Sequence, residues 1–353
     1  MGRRWRGNSF GAVLLGLCGW VEPLLAQSSV AQSSIAQSSV TLAGPGSSLA
    51  GPLVGMWGKK FHDQHPEILV GYVATSSSEG MEAVSRQHGD FSISEIPVAG
   101  KSSAGSGLVR IPLAVLSMTP VYNLPGAPRL RFTGELLAQI YMGRIANWNV
   151  PAVAQLNPGV TLPDLGITVL QRPDGTGSRY IFDEFLKKTS PEFRKWSGEK
   201  HSAPATKIVA PRSKGLAEKL AATPGAIGFV DYQVAVQMGL RSGSVRNATG
   251  RYVEASAASI AAAAAAMQEL VNVDAPGPLV NAAGENSYPL SGFAWFYLPV
   301  RPAAESKEAL SEFLRRCVRE GQDWISGSSY DRLPKPVADE ARMRLSKLFP
   351  SRP

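Results

Sequence analysis

Alternation of short apolar runs with helix-spaced apolar patterns makes this chain an α/β protein on a mainly parallel sheet. Three observations carry that expectation. From Val40 onward, strand-like runs and helical patterns follow one another. The runs are short. Ser and Thr then cluster where a strand gives way to a helix. A length of 353 residues suits about two domains.

The elements come in this order. Val40–Ala43 reads as a strand and Gly44–Ser48 as a turn, after which Leu49, Leu53, Met56, Trp57 and Phe61 recur at helical spacing. Ile68–Val73 is strand-like, followed by Ser76–Ser78 and a helix through Met81, Val84 and Ser85. Phe91–Ser94 and Ile167–Leu170 are short strands. The second leads through a Gly- and Thr-rich turn into a helix with Ile181, Phe182, Phe185 and Leu186 on one face. Ala257–Ala266 is an alanine-dense helix, Gly292–Leu298 a strand, and Ala309–Val318 and Pro336–Leu348 are helices.

Composition narrows the function. Apolar residues make up 44% and charged residues 18%, enough for an ordinary buried core. The net charge of +8 is mild, and no Lys/Arg run follows Arg6, so nucleic-acid binding is not expected; a preference for anionic solutes is compatible. Arg3, Arg4 and Arg6, then the apolar Gly11–Leu17, then Leu24-Leu25-Ala26 predict an export signal over residues 1–26. Cys18 is an alternative lipid attachment site, although bulky Leu17 precedes it where a small residue is expected. Residues 27–39 lie in the thrice-repeated AQSSV-type pentapeptide, too polar to fold alone, and are expected to be a flexible linker. Once Cys18 is removed, Cys317 is alone, so no disulfide framework is expected.

Ser47-Ser48, Ser77-Ser78 and Thr176-Gly177-Ser178 each sit at a strand-to-helix junction. Such hydroxyls cap helices. Helix starts also offer free N–H groups and partial positive charge to anions. Arg172 stands just ahead of the third cluster, and its planar fork suits a tetrahedral oxyanion; Asp174 is placed to orient it. No phosphate-binding GxxxxGK[ST] loop, no post-strand GxGxxG and no GxSxG nucleophile elbow occurs. His62 and His65 are spaced i,i+3 on a helix without a third metal ligand in sequence, and no Ser/His/Asp triad assembles. The chain is therefore expected to be a non-enzyme without metal or cofactor.

Eight stretches together carry a resemblance: LAGPGSSLAGPLVGMW (42–57), GYVATSSSEGMEAV (71–84), GDFSISEIP (89–97), VYNLPG (121–126), IYMGRIANWN (140–149), LQRPDGTGSRYIF (170–182), PGAIGFVDY (224–232) and SSYDRLP (328–334). With them the chain resembles the periplasmic phosphate-binding proteins of ABC-type phosphate uptake systems. The resemblance implies a two-lobed venus-flytrap fold of type II with a central mixed sheet in each lobe. Lobe I would be 40–120 plus 287–353 and lobe II 121–286. It implies phosphate ligands at Ser48, Leu49, Ser77, Glu95, Arg172, Thr176, Gly177 and Ser178, with Asp174 supporting Arg172. It further implies a periplasmic monomer that hands phosphate to ABC permease subunits. A phosphate sensor, or a binder of another protonated oxyanion, is the alternative. Two departures stand out. Glu95 occupies the place of an aspartate and is one methylene longer, so the pocket is re-spaced or the glutamate bends. Glu79 favours a helix start but repels an anion if it points inward.

Overall fold

The computed structural model describes residues 39–98, 107–126, 129–199, 207–267, 280–325 and 330–350. The expected signal, its cleavage point, Cys18 and nearly all of the linker lie outside the described residues, as do Ser328 and Ser329. Eleven strands are found among the described residues: β1 Val40–Ser47, β2 Ile68–Thr75, β3 Ser92–Ser94, β4 Leu108–Tyr122, β5 Arg131–Phe132, β6 Thr168–Gln171, β7 Lys207–Val209, β8 Ala226–Asp231, β9 Ser244–Arg246, β10 Tyr252–Val253 and β11 Ser291–Pro299. Eight form one sheet in the order β2-β1-β3-β11-β4-β8-β6-β7, and β10-β9-β5 form a small second sheet.

The large sheet is mixed. β1 pairs in parallel with β2 and β3, and β6 in parallel with β7 and β8, but β11 runs antiparallel to β3 and β4, and β4 antiparallel to β8. β4 changes partner along its length. Leu108–Ser117 pair with β11, and Met118–Tyr122 pair with β8. The two expected sheets are thus two half-sheets that share one 15-residue strand.

Strand direction then determines where a site can form. β1 and β3 run in the direction of β4, toward the second half-sheet; β8 and β6 run against β4, toward the first. The carboxyl ends of both sets therefore meet in the middle. In open α/β sheets, ligands bind outside such ends.

β4 was not legible as a strand. Pro112 and Pro120 interrupt it, and proline is usually confined to edges or bulges. Here the register slips opposite Ala294/Trp295, leaving Leu113 as the extra residue beside Pro112. The Gln322 side chain compensates by donating to the Leu113 carbonyl at 3.0 Å. A second difference is β1, which continues through Gly44, Pro45, Gly46 and Ser47, where a turn was expected. A Cβ on Gly44 would stand 2.3 Å from the Phe91 ring tip. Phe91 is fully buried against Tyr72, Phe296 and Phe313, so the glycine serves close packing rather than chain reversal.

Gly44→Ala should therefore overpack this aromatic cluster and lower stability by about 1–3 kcal/mol in a denaturant melt. An unchanged midpoint would show that Phe91 yields freely.

Candidate functional site

Four segments bring polar groups to the meeting strand ends. The end of β1 supplies Ser47, followed by Ser48 and Leu49. The helix Ser77–Ser85, after β2, supplies Ser77. Glu95 follows β3. Arg172 follows β6 and precedes the helix Gly177–Thr189.

Glu95 is buried, and both its oxygens are held. Ser47 Oγ donates to Oε1 at 2.7 Å and Ser77 Oγ donates to Oε2 at 2.9 Å. Burial raises its pKa above the ordinary value of 4.5; the Ser47 and Ser77 hydroxyls, and more weakly Arg172, pull it back. Ser77 Oγ also accepts from the Gly177 N–H at 2.9 Å, and the Ser78 N–H donates to the Gly175 carbonyl at 3.1 Å. A Cβ on Gly177 would lie 1.6 Å from Glu95 Oε2, so the carboxylate rests against the start of that helix and only glycine fits there.

Arg172 is 1% exposed. Its Nη2 donates to Ser48 Oγ at 2.9 Å, while Nε and Nη1 are buried with no protein partner. Ser178 Oγ is likewise buried and unpartnered. Unpaired buried donors are costly, so the two left on Arg172 mark a position where an acceptor belongs. Burial lowers the Arg172 pKa to about 10, opposed by Asp231 and then by Glu95, which leaves it cationic at neutral pH.

The structure thus brings Ser48, Ser77, Glu95, Arg172 and Gly177 together, with Leu49, Thr176 and Ser178 next to them along the chain. In this conformation the Leu49 N–H donates to Ser47 Oγ at 3.2 Å and Thr176 Oγ1 donates to the Pro173 carbonyl at 2.8 Å. Several expectations need correction. Asp174 does not orient Arg172: its side chain is 95% exposed and lies 3.5 Å from Arg179. It projects from a turn whose backbone Gly175 bends with φ +78°, so it faces solvent. Ser47 and Ser48 do not cap the first helix. Its N-cap is Ala50, which makes no side-chain cap bond, and the two hydroxyls turn to Glu95 and Arg172 instead. The second helix is capped by Ser76 in a reciprocal box with Glu79, whose Oε2 accepts from the Ser76 N–H at 2.9 Å. Glu79 is exposed, so its charge stays out of the site.

Sequence reasoning missed two groups. Ser47 was read as a cap. Asp231, at the end of β8, is the charge that most opposes the lowering of the Arg172 pKa. Extending the parallel β6–β8 register beyond Val169↔Ile227 brings Arg172 level with the end of β8. Asp231 Oδ1 meanwhile accepts from the Val234 N–H at 2.9 Å. Only its position at a strand end hinted at this role.

Comparison with known proteins now gives the class. Residues 31–315 match the model of the PBP superfamily domain, and the protein is a member of that superfamily. Two solved structures share the fold. The chain aligns with a phosphate-binding protein from Stenotrophomonas maltophilia at TM-score 0.64 and 18% identity, over 86% of this chain and 93% of the other. It aligns with an ABC-type phosphate transport receptor from Vibrio cholerae at 0.55 and 18%, over 83% and 100%. The two-lobed α/β fold expected from the sequence is the one observed. Among relatives by sequence, the phosphate-binding protein PstS of Xylella fastidiosa is 31% identical over 316 residues, 88% of this chain and 86% of the relative. PstS of Pasteurella multocida is 30% identical over 300 residues, 84% and 86%. The chain belongs to the PstS family of phosphate-binding proteins.

Because burial dominates, folded Glu95 holds its proton more tightly than the unfolded chain does. Ionising it therefore costs stability. That cost is absent below 4.5 and complete above the raised folded value. Relative to Glu95→Gln, the wild-type protein should lose stability as pH rises through this window. Thermal melts of both proteins would check this, and a difference that stays flat with pH would refute it.

Proposed function

We propose that the protein binds inorganic phosphate between two lobes, 40–120 plus 287–353 and 121–286, and delivers it to the permease of an ABC transporter. The observation that carries this reading is Arg172: fully buried, cationic, with Nε and Nη1 unpaired, and facing a buried carboxylate. A guanidinium alone suits any oxyanion. A carboxylate in the same dry space suits only an anion that brings a proton, because it accepts a hydrogen bond from HPO₄²⁻ or H₂PO₄⁻ and meets only like charge on sulfate. Ser48, Ser77, Thr176 and Ser178 supply hydroxyls, and Leu49 and Gly177 supply backbone N–H groups at helix starts.

Membership in the PstS family supports both the ligand and the transport role. The relatives are named as binding proteins, which supports a non-enzymatic role. The charged and apolar segments of residues 1–26 support export to the periplasm, with 27–39 as a tether. The protein acts as a monomer without cofactor in this reading. Ligand exchange requires the lobes to part, since Arg172–Ser48, Gly177–Ser77 and Ser78–Gly175 bonds bridge them.

Titration calorimetry with phosphate and sulfate tests the reading. Arg172→Ala should weaken phosphate binding by at least about 30-fold, the lower range for truncating one partner of a buried charged contact. Sites built around a substrate's O–H discriminate by up to ~10⁴ or more, and Glu95→Ala should erase most of that preference for phosphate over sulfate. Unchanged affinity in the first variant, or unchanged preference in the second, would count against the site.

A further inference from the structure

We propose that Ser47 is a positioning residue for Glu95, presenting its carboxylate to the proton of the bound anion. The inference rests on the phosphate reading above.

A glutamate has one more rotatable bond than an aspartate, so a glutamate that must meet one proton needs its carboxylate held at more than one point. Ser77 holds Oε2 from the helix that follows β2, and Ser47 holds Oε1 from the end of β1. The two hydroxyls thus hold the two oxygens separately, and the backbone at Gly177 closes a further side. Ser47 is itself immobilised. It is buried, its carbonyl accepts from the Tyr72 hydroxyl at 2.8 Å and from the Ala50 N–H at 3.2 Å, and it pairs with Thr75 across the β1–β2 ladder. Its Oγ accepts from the Leu49 N–H, so its single proton is committed to Glu95.

A hydroxyl committed as donor favours the ionised carboxylate. It offsets the burial that otherwise pushes Glu95 toward its neutral form. The remaining lone pairs of an ionised Glu95 are then available to a phosphate O–H. The titratable groups that face Glu95 are Arg172 after β6, Tyr72 on β2, Tyr297 on β11, and Tyr330 in the C-terminal segment. Burial pushes all three phenols up, Tyr297 to about 12, and Arg172 is lowered only to about 10. Of these groups, Glu95 is the one whose ordinary pKa of 4.5 lies on the acid side, and burial raises it from there.

Ser47→Ala preserves volume and removes only the hydroxyl. Phosphate calorimetry on the exported form of wild type and variant, from about pH 6 to about pH 9, separates the outcomes. Losing one hydrogen bond to a charged group should weaken phosphate binding about tenfold or more at the acidic end. Without the donor, Glu95 protonates at higher pH, so the ratio between the two proteins should narrow as pH rises. Titration of phosphate itself cancels in that ratio. Unchanged affinity, or a loss that is constant with pH as a packing defect would give, overturns the role of Ser47 alone. A wild-type protein that binds no phosphate at any pH overturns the functional reading and this inference together.

Discussion

A buried carboxylate facing a buried guanidinium, without touching it, is the constraint around which this protein is built. Each charge costs several kcal/mol to take out of water unless hydrogen bonds replace the hydration. Glu95 has that replacement in two serine hydroxyls. Arg172 has only part of it, through Ser48. The imbalance is informative. A structural ion pair would close the gap with direct Arg–carboxylate bonds, yet Nε and Nη1 bond to neither Glu95 nor Asp231. The geometry holds the two charges apart and leaves two guanidinium nitrogens unpaired.

Holding charges apart in a dry place needs a frame that converges from two sides, and the sheet supplies it. β4 runs unbroken through both half-sheets, so the carboxyl ends on either side point at one another. Each half brings its own polar groups: serines and Glu95 from one, Arg172, Asp231 and the Gly177 helix start from the other. Few bonds join the two halves across the site.

Much of this was legible in the sequence. Helices with strong apolar periodicity, such as those containing Trp57, Phe182 and Leu310, fell where expected because their period is local information. The hydroxyl clusters and Arg172 were visible because their chemistry is unusual beside glycine. β4 was hidden because Pro112 is accommodated by a bulge and by Gln322, which lies far away in the chain. Gly44-Pro45-Gly46 looked like a turn because local rules cannot know that Phe91 packs against the strand. Ser47 and Ser48 are adjacent and identical, and only the alternation of a strand end decides that one serves the carboxylate and the other the guanidinium.

The fate of the acidic residues follows from the same alternation. Asp174 is two residues from Arg172 along the chain, yet it stands in solvent beside Arg179. Asp231 is remote in sequence, yet it arrives at the neighbouring strand end, where it supports the Arg172 charge more than Glu95 does. Burial raises the Asp231 pKa, and the Val234 N–H and Arg172 oppose that rise. A counter-charge that acts through space without bonding leaves the guanidinium fork free. One that clasped Arg172 directly would stabilise the empty site and compete with any anion for the same N–H groups. Placing the carboxylate on the next strand, with its own oxygen occupied at a helix start, lets the protein keep a cation buried without surrendering its donors.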